Sequence, residues 1–292
     1  MGLSVFTLAG ALLLPALADA GGSSSMYDSI PSPLPPDPPS LGFDAAHFAE
    51  IGDRIVLAPG TGRTLTSATV TLSSWACESG TWISGCTSRA GATFTHPITF
   101  KIYAVAGTDP AYAPGALLAS VKQDVLVPYR PSSDPACTDA AAGITYQFAS
   151  TGGQCAIGKP FNATFDFSSL NVTLPEQVIF GVAFDTNVAG YEPIGASGPY
   201  DALNVVIMSD LVPSAGEEGP NELYLAGEMT SGEFVRIAAG GVGIPVRLET
   251  TSPVPTDQNQ CKNGGWEQFG FPNQGQCVAF VVSKGKPAER RQ

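Results

Sequence analysis

The chain has only two histidines in 292 residues, His47 and His96. They stand in distant segments, and His96 precedes Pro97 at the start of an alternating apolar run. One imidazole per segment builds neither a histidine-rich metal site nor an evident Ser-His-Asp triad, and no G-x-S-x-G elbow accompanies either. Acidic pairs are the other route to chemistry, since two facing carboxyls suffice for glycoside hydrolysis. With 26 acidic residues and only 14% of the chain charged, no spacing singles out a pair. The acids read as solvated surface. No catalytic residue is expected, and an enzyme is the least favoured class. No cofactor is expected either. There is no Asp-x-Asp-x-Asp-Gly loop, so a structural calcium ion would need separated donors such as Asp185, Glu192 and Asp201.

Binding is easier to support than catalysis. A sugar ring has an apolar face that an aromatic side chain holds at low entropic cost. Trp82 lies in the middle of a short cysteine-bracketed loop, and Tyr112, Tyr191 and Tyr200 sit in Gly/Pro-rich loops. These four are the candidate glycan-binding rings. The competing reading is that each packs on its own loop. Trp75, Phe100, Phe165, Phe180 and Phe184 fall on apolar runs and are assigned to the core.

The six cysteines form three sequence-local couples, Cys77 with Cys86, Cys137 with Cys155, and Cys261 with Cys277, each bracketing a loop rich in small polar residues. An even count in a chain expected to be exported implies disulfides, and local pairing is the favoured connectivity among the fifteen formally available. None shows the CxxC spacing of a zinc site.

The elements that must position these residues are strands. Thirty-three glycines and 25 prolines punctuate the chain. Alternation at Leu65–Leu72, Ile98–Ile102, Ala116–Val127, Phe161–Phe167 and Leu170–Leu174 marks half-buried strands. Val178–Phe184 is apolar on both faces, the signature of a central strand. Further strands are expected at Arg54–Ala58, near Tyr146 and Phe148, and at Leu203–Met208, Leu223–Ala226, Glu233–Ile237 and Ile244–Leu248. The expected fold is all-β, a two-sheet sandwich of jelly-roll type carrying a small disulfide-closed C-terminal module.

The segments divide as follows. Residues 1–20 read as a secretory signal, with an apolar Leu3–Leu17 run and small residues at Ala18 and Ala20. Residues 21–43 are Gly/Ser- and then Pro-rich, and Ile30, Leu34, Leu41 and Phe43 are spaced as anchors of a polyproline-like strap laid across the sandwich. The β-sandwich spans 44–250, a linker 251–260, the disulfide-closed module 261–283 and a basic tail 284–292. A net charge of -12 argues against nucleic acid and anionic membranes as partners, and no later run is long enough to span a bilayer. The sequons at Asn162 and Asn171 read as polar positions on alternating strands.

The ending CKNGGWEQFGFPNQGQCV, from Cys261 to Val278, resembles a short C-terminal module found on many secreted bacterial proteins, with a Cys-Lys-x-Gly-Gly-Trp start and an Asn-Gln-Gly-x-Cys-Val finish. The body resembles an uncharacterised secreted bacterial family at Tyr27–Pro36, Gly52–Ala58, Thr64–Ala76 and Phe165–Pro175. The resemblance implies export and a β fold and carries no assigned activity. The expected protein is secreted and extracellular, binding extracellular polysaccharide or cell-wall polymer. A structural, matrix or surface-assembly role is the alternative, and the sequence does not set the oligomeric state.

Overall fold

A computed structural model of the chain describes residues 23–42, 48–59, 62–82, 84–137, 147–150, 152–184, 203–227, 232–238, 240–251, 255, 257–269 and 271–283. The strands, in chain order, are β1 (Ser23–Asp28), β2 (Ser40–Gly42), β3 (Phe48–Val56), β4 (Thr64–Ser74), β5 (Ser79–Thr81), β6 (Ser84–Thr87), β7 (Thr93–Ala106), β8 (Ala113–Pro128), β9 (Phe148–Ala149), β10 (Cys155–Ala156), β11 (Lys159–Asp166), β12 (Gln177–Ala183), β13 (Leu203–Val206), β14 (Met208–Ser209), β15 (Glu217–Gly227), β16 (Val235–Ala238), β17 (Val242–Gly243) and β18 (Val246–Thr251). They build the two-sheet antiparallel sandwich that the alternation predicts.

Sheet I runs β1-β18-β4, with β13 and β2 on the same flank of β4 as β18 and β11 on its other flank. Sheet II runs β16-β15-β3-β12-β7-β8. Short ribbons β5-β6, β9-β10 and β14-β17 decorate them. The core lies between the inner faces. Phe100 of β7 is at its centre, stacked on Phe180 at 5.6 Å between centroids and touching Phe165 and Phe167 at 5.4 and 6.0 Å. Phe165, Phe180 and Phe184 are buried with it, as assigned. Each such side chain removed from water contributes roughly 1.5–3 kcal/mol. β12 is the doubly covered central strand: Val178, Phe180 and Val182 face the core, while Ile179 is buried on the opposite face with Tyr103 and Tyr224.

Several local expectations change. Ser23–Asp28 is not part of a strap but an edge strand on β18, with Met26 and Tyr27 buried; backbone pairing offsets the weak strand propensity of its serines. Residues 29–39 form the strap proper. β3 begins at Phe48, not Arg54, because Glu50, Gly52 and Asp53 disguise a strand that is buried for other reasons. Leu170–Leu174 is not a strand. Asn171 has φ 50° and only Thr173 bridges, to Thr64. Strand β13 stops at Val206, ahead of the Met208 expected. Trp75 is half-exposed, outside the core to which it was assigned.

The described C-terminal residues belong to a second compact unit. Cys261, Phe269, Phe271 and Cys277 form its small core, with Trp266, Val278, Phe280 and Val281 packed on it. Its secondary structure is helical: two 3₁₀ turns, Gln258–Cys261 and Glu267–Phe269, and helix α1, Gln274–Val282. Asn273 caps α1, its side chain accepting from the Gln276 amide at 3.0 Å.

Candidate functional site

The residues best placed to meet a ligand gather where β4 ends. Thr69, Thr71 and Ser73 occupy the polar phase of that strand, opposite the core-facing Ala68, Val70 and Leu72, and Trp75 follows directly after its last residue. Cross-strand register puts Asn162 and Thr164 of β11 beside Thr71 and Thr69, and Asn204 of β13 beside Ser73. Thr69 and Thr164 share a hydroxyl hydrogen bond of 2.9 Å, Thr71 donates to Asn162 Oδ1 at 2.9 Å, and Asn204 Nδ2 donates to Ser40 Oγ at 3.0 Å. From Thr69 onward β4 and β11 thus present a row of neutral hydroxyl and amide groups, bordered on β18 by Arg247, which lies beside Thr69 and is paired with Asp28 at 2.8 Å.

A tryptophan pair closes one end of the row. Trp82 meets Trp75 edge-on, with centroids 4.8 Å apart and planes at 67°, and both rings are half-exposed. Trp82 therefore packs on a ring of the strand. The pair presents separate ring faces instead of one flat platform. Trp82 is held by the β5-β6 hairpin, which the Cys77–Cys86 disulfide closes. Gly80 in β5 and Gly85 in β6, at φ 77° and 65°, take the left-handed backbone where the register of this short ribbon shifts.

Arg130 lies under this corner. It is fully buried, donates through Nη1 to Trp82 O at 3.2 Å and through Nε to Pro131 O at 3.3 Å, and lies 5.0 Å over the Phe148 ring. Burial lowers its pKa to about 10, with the Asp37 carboxylate acting in the opposite sense. Phe148 belongs to the β9-β10 ribbon, whose Cys155 is bridged to Cys137. Two disulfide loops thus converge on one guanidinium. Asp37, on the strap, also accepts from the Gly158 amide at 3.1 Å.

Three side-chain atoms at this corner, Ser73 Oγ, Trp75 Nε1 and Asn204 Oδ1, are buried without a hydrogen-bond partner. A Cβ built on Gly158 would sit 2.2 Å from Ser73 Oγ and 2.3 Å from Trp75 Nε1, so the two share one tight niche that only glycine leaves open. Buried polar groups in native proteins are normally satisfied, which makes this the least satisfied polar patch of the outer face.

The other expected ring sites resolve differently. Tyr112 lies beneath the Arg54 guanidinium, 4.1 Å from its carbon, on the outer face of sheet II. Arg54 there donates to Glu222 at 3.1 Å and Gln177 at 3.0 Å, and Glu222 also accepts from Tyr224 at 2.6 Å and Arg236 at 2.7 Å. Burial opposes the charge of Glu222, but these donors outweigh it and hold its carboxyl below the usual range. That cluster is a satisfied ionic network. Tyr191 and Tyr200 lie outside the described residues, as do His47, Asp185, Glu192 and Asp201. His96 is inside the core, 1% exposed and edge-on to Phe184. Among the described residues no group of three or more His, Cys, Asp or Glu side chains could hold a metal ion. A shallow depression of about 330 Å³ beside Val56–Pro59, lined also by Arg63 and Glu176, holds none of the ring candidates.

A second acidic centre joins the sheets. Asp53 accepts the Arg54 and Ile244 amides at 2.7 and 3.0 Å and lies against Glu218, which accepts the Tyr27 hydroxyl. Burial and the Glu218 charge push the Asp53 carboxyl well up. Burial raises Glu218 as well, against hydrogen bonds from Tyr27 and Asp53.

The chain matches no protein-family model, no curated protein and no solved structure. All three cysteine couples are closed as local disulfides, and among the described residues no helix is long and apolar enough to cross a membrane. The sequence singles out Trp82 as a candidate ring, places Trp75 in the core, and gives no sign of Arg130, Asp37 or the acid pair. Strand parity could have found Trp75, which keeps step with Thr69, Thr71 and Ser73. Nothing local announces Arg130.

Proposed function

We propose that the protein is a secreted, non-enzymatic β-sandwich protein that binds extracellular glycan or cell-envelope polymer. The observation that carries this reading is the half-exposed Trp75–Trp82 pair at the end of a neutral hydroxyl and amide row, beside buried donors and acceptors without partners. Rings supply the apolar contact that a sugar face needs, and fixed polar groups supply orientation. The disulfide-closed hairpin holds Trp82 in place before any ligand arrives, which lowers the ordering cost of binding. The disulfides and the resemblance of the C-terminal module to those of secreted proteins support an extracellular setting.

The test is depletion of the oxidised protein from solution by insoluble polysaccharides and purified cell wall, with wild type beside Trp82→Ala. Binding that falls at least about tenfold, roughly 1.4 kcal/mol, in a variant that keeps its unfolding midpoint supports the reading. Equal binding by both proteins removes Trp82 from the site, and binding by neither removes the reading. Retention abolished by chelator would add a structural calcium ion.

Assembly through sheet edges is the second reading. β8 is a 16-residue edge strand of sheet II, and its Leu117 and Leu126 are 54% and 68% exposed. Long apolar edges template pairing with another chain. Lys122 and the contact of Gln123 Nε2 with Thr164 O at 2.9 Å work against it. Concentration-dependent sedimentation abolished by Leu126→Lys would favour assembly over polymer binding.

A further inference from the structure

The strap connects the two flanks of β4. At its start Ser29 donates to Val246 O at 3.0 Å on the β18 side. At Asp37 it takes the Gly158 amide on the β11 side, and at Pro39 it accepts from Ile207 at 2.9 Å, back on the β13 side. The chain therefore passes over the outer face of β4. This explains why Thr71, Ser73 and Asn204 are 1%, 0% and 2% exposed on a face that sandwiches ordinarily leave wet. Beyond the strap, Asn162 and Thr164 of the same row are exposed, and Trp75 and Trp82 are half-exposed at the other end.

The cover is chemically incomplete. Proline has no amide hydrogen, so a strap built around Pro31, Pro33, Pro35, Pro36, Pro38 and Pro39 brings few donors to the groups beneath it. Ser73 Oγ, Trp75 Nε1 and Asn204 Oδ1 remain without partners under it. A segment that buries polar groups and leaves them unsatisfied is held less firmly than one that pairs them. Asp37 ties it to Gly158, just ahead of β11, and its carboxylate acts on the buried Arg130 charge.

We infer that the strap, residues 29–39, is a displaceable cover over a binding row for a neutral, hydroxyl-rich polymer, with Trp75 at one end, Ser73, Asn204, Thr71 and Asn162 in the middle, and Thr69 with Thr164 at the other. The inference rests on the polymer-binding reading for its ligand and on the strap geometry for its mechanism. A neutral polymer follows from the row, which holds no ionised side chain on β4 or β11 between Thr69 and Trp75 and whose β18 neighbour Arg247 is already paired with Asp28, and from the net charge of -12, which disfavours anionic chains. From Thr69 to Trp75 the strand spans roughly 20 Å, room for several sugar rings. Lifting the strap lets ligand hydroxyls take the partners that the closed state lacks. Binding is thereby coupled to opening.

Two arms on the oxidised full chain keep ligand and mechanism separable. In hydrogen exchange without ligand, the Gly158 and Ile207 amides are expected to exchange at least about a hundredfold faster than those of Val70 and Leu72. Exchange of all four together, only through global unfolding, overturns the cover. In the binding arm, Asp37→Ala loosens the tie and is expected to raise retention on microcrystalline cellulose or chitin about fivefold. Asp37→Asn, which keeps the acceptor, stays near wild type, and Asn162→Ala lowers retention about fivefold. Wild-type retention with no gain in Asp37→Ala overturns the coupling while leaving the polymer-binding reading in place. Retention on polygalacturonate alone overturns the neutral ligand. Absence of retention on every polymer removes the polymer-binding reading itself, and the exchange arm still decides whether the strap opens.

Discussion

At Gly158 the backbone passes so close to Ser73 Oγ and Trp75 Nε1 that any side chain must displace one of them. Gly158→Ala is therefore expected to cost about 1–3 kcal/mol, read as a lower urea midpoint, and to disturb the Trp75 near-UV signal. An unchanged midpoint would mean the niche is looser than it looks. Asp53 and Glu218 carry a different residue-scale consequence. Both carboxyls are pushed above their unfolded values of about 3.9 and 4.3, so above pH 4 the folded state holds more protons than the unfolded one. Their contribution to stability is fully present below about pH 4 and is lost as pH rises through the folded values. Urea midpoints measured from pH 4 to 8 should decline, and Glu218→Gln should flatten that decline. A slope unchanged by the substitution would show that the pair shares no proton in the folded state.

Among the elements, the β5-β6 hairpin holds Trp82 through a bridge closing a nine-residue separation. Cys77→Ser with Cys86→Ser should cost about 2–3 kcal/mol and weaken the Trp75–Trp82 exciton signal, while far-UV strand content stays unchanged. Loss of the strand signal too would mean that the hairpin supports the sheets themselves. The hairpin cysteines were legible because sequence distance alone made them neighbours. Central strand β12 was legible because both of its faces are apolar. Strand β3 was legible only at its end, since Glu50 and Asp53 are buried with partners distant in sequence: Lys101 and Tyr103 for Glu50, and Ile244 and Glu218 for Asp53. No local pattern records such partners. The α1 helix was within reach, because Asn273 three residues before Gln276 is a capping pattern, but its apolar residues, Val278 to Val282, form one short continuous run whose periodicity does not tell helix from strand.

Over the whole molecule, the sandwich Ser23–Thr251 and the C-terminal unit each close their own core and their own disulfides. A chain ending at Thr251 should unfold cooperatively within about 0.5 kcal/mol of the full-length body, measured by urea titration, and a larger loss would show that the body depends on the C-terminal unit. The all-β class and the sandwich were readable from alternation and turn residues. The corner that carries the functional reading was not, because it assembles the strap, the end of β4, two disulfide loops and Arg130 from separate parts of the chain. The three tryptophans of the protein, Trp75, Trp82 and Trp266, give three indole N–H resonances, and Trp266 in the C-terminal unit is a built-in control. The most direct test is their nitrogen–proton correlation spectrum during titration with soluble cello- and chito-oligosaccharides. Saturable shifts of the Trp75 and Trp82 resonances, with Trp266 unmoved, are the result expected. Three stationary resonances at millimolar sugar, or a shift of Trp266 alone, would contradict the assignment of this corner as the glycan site.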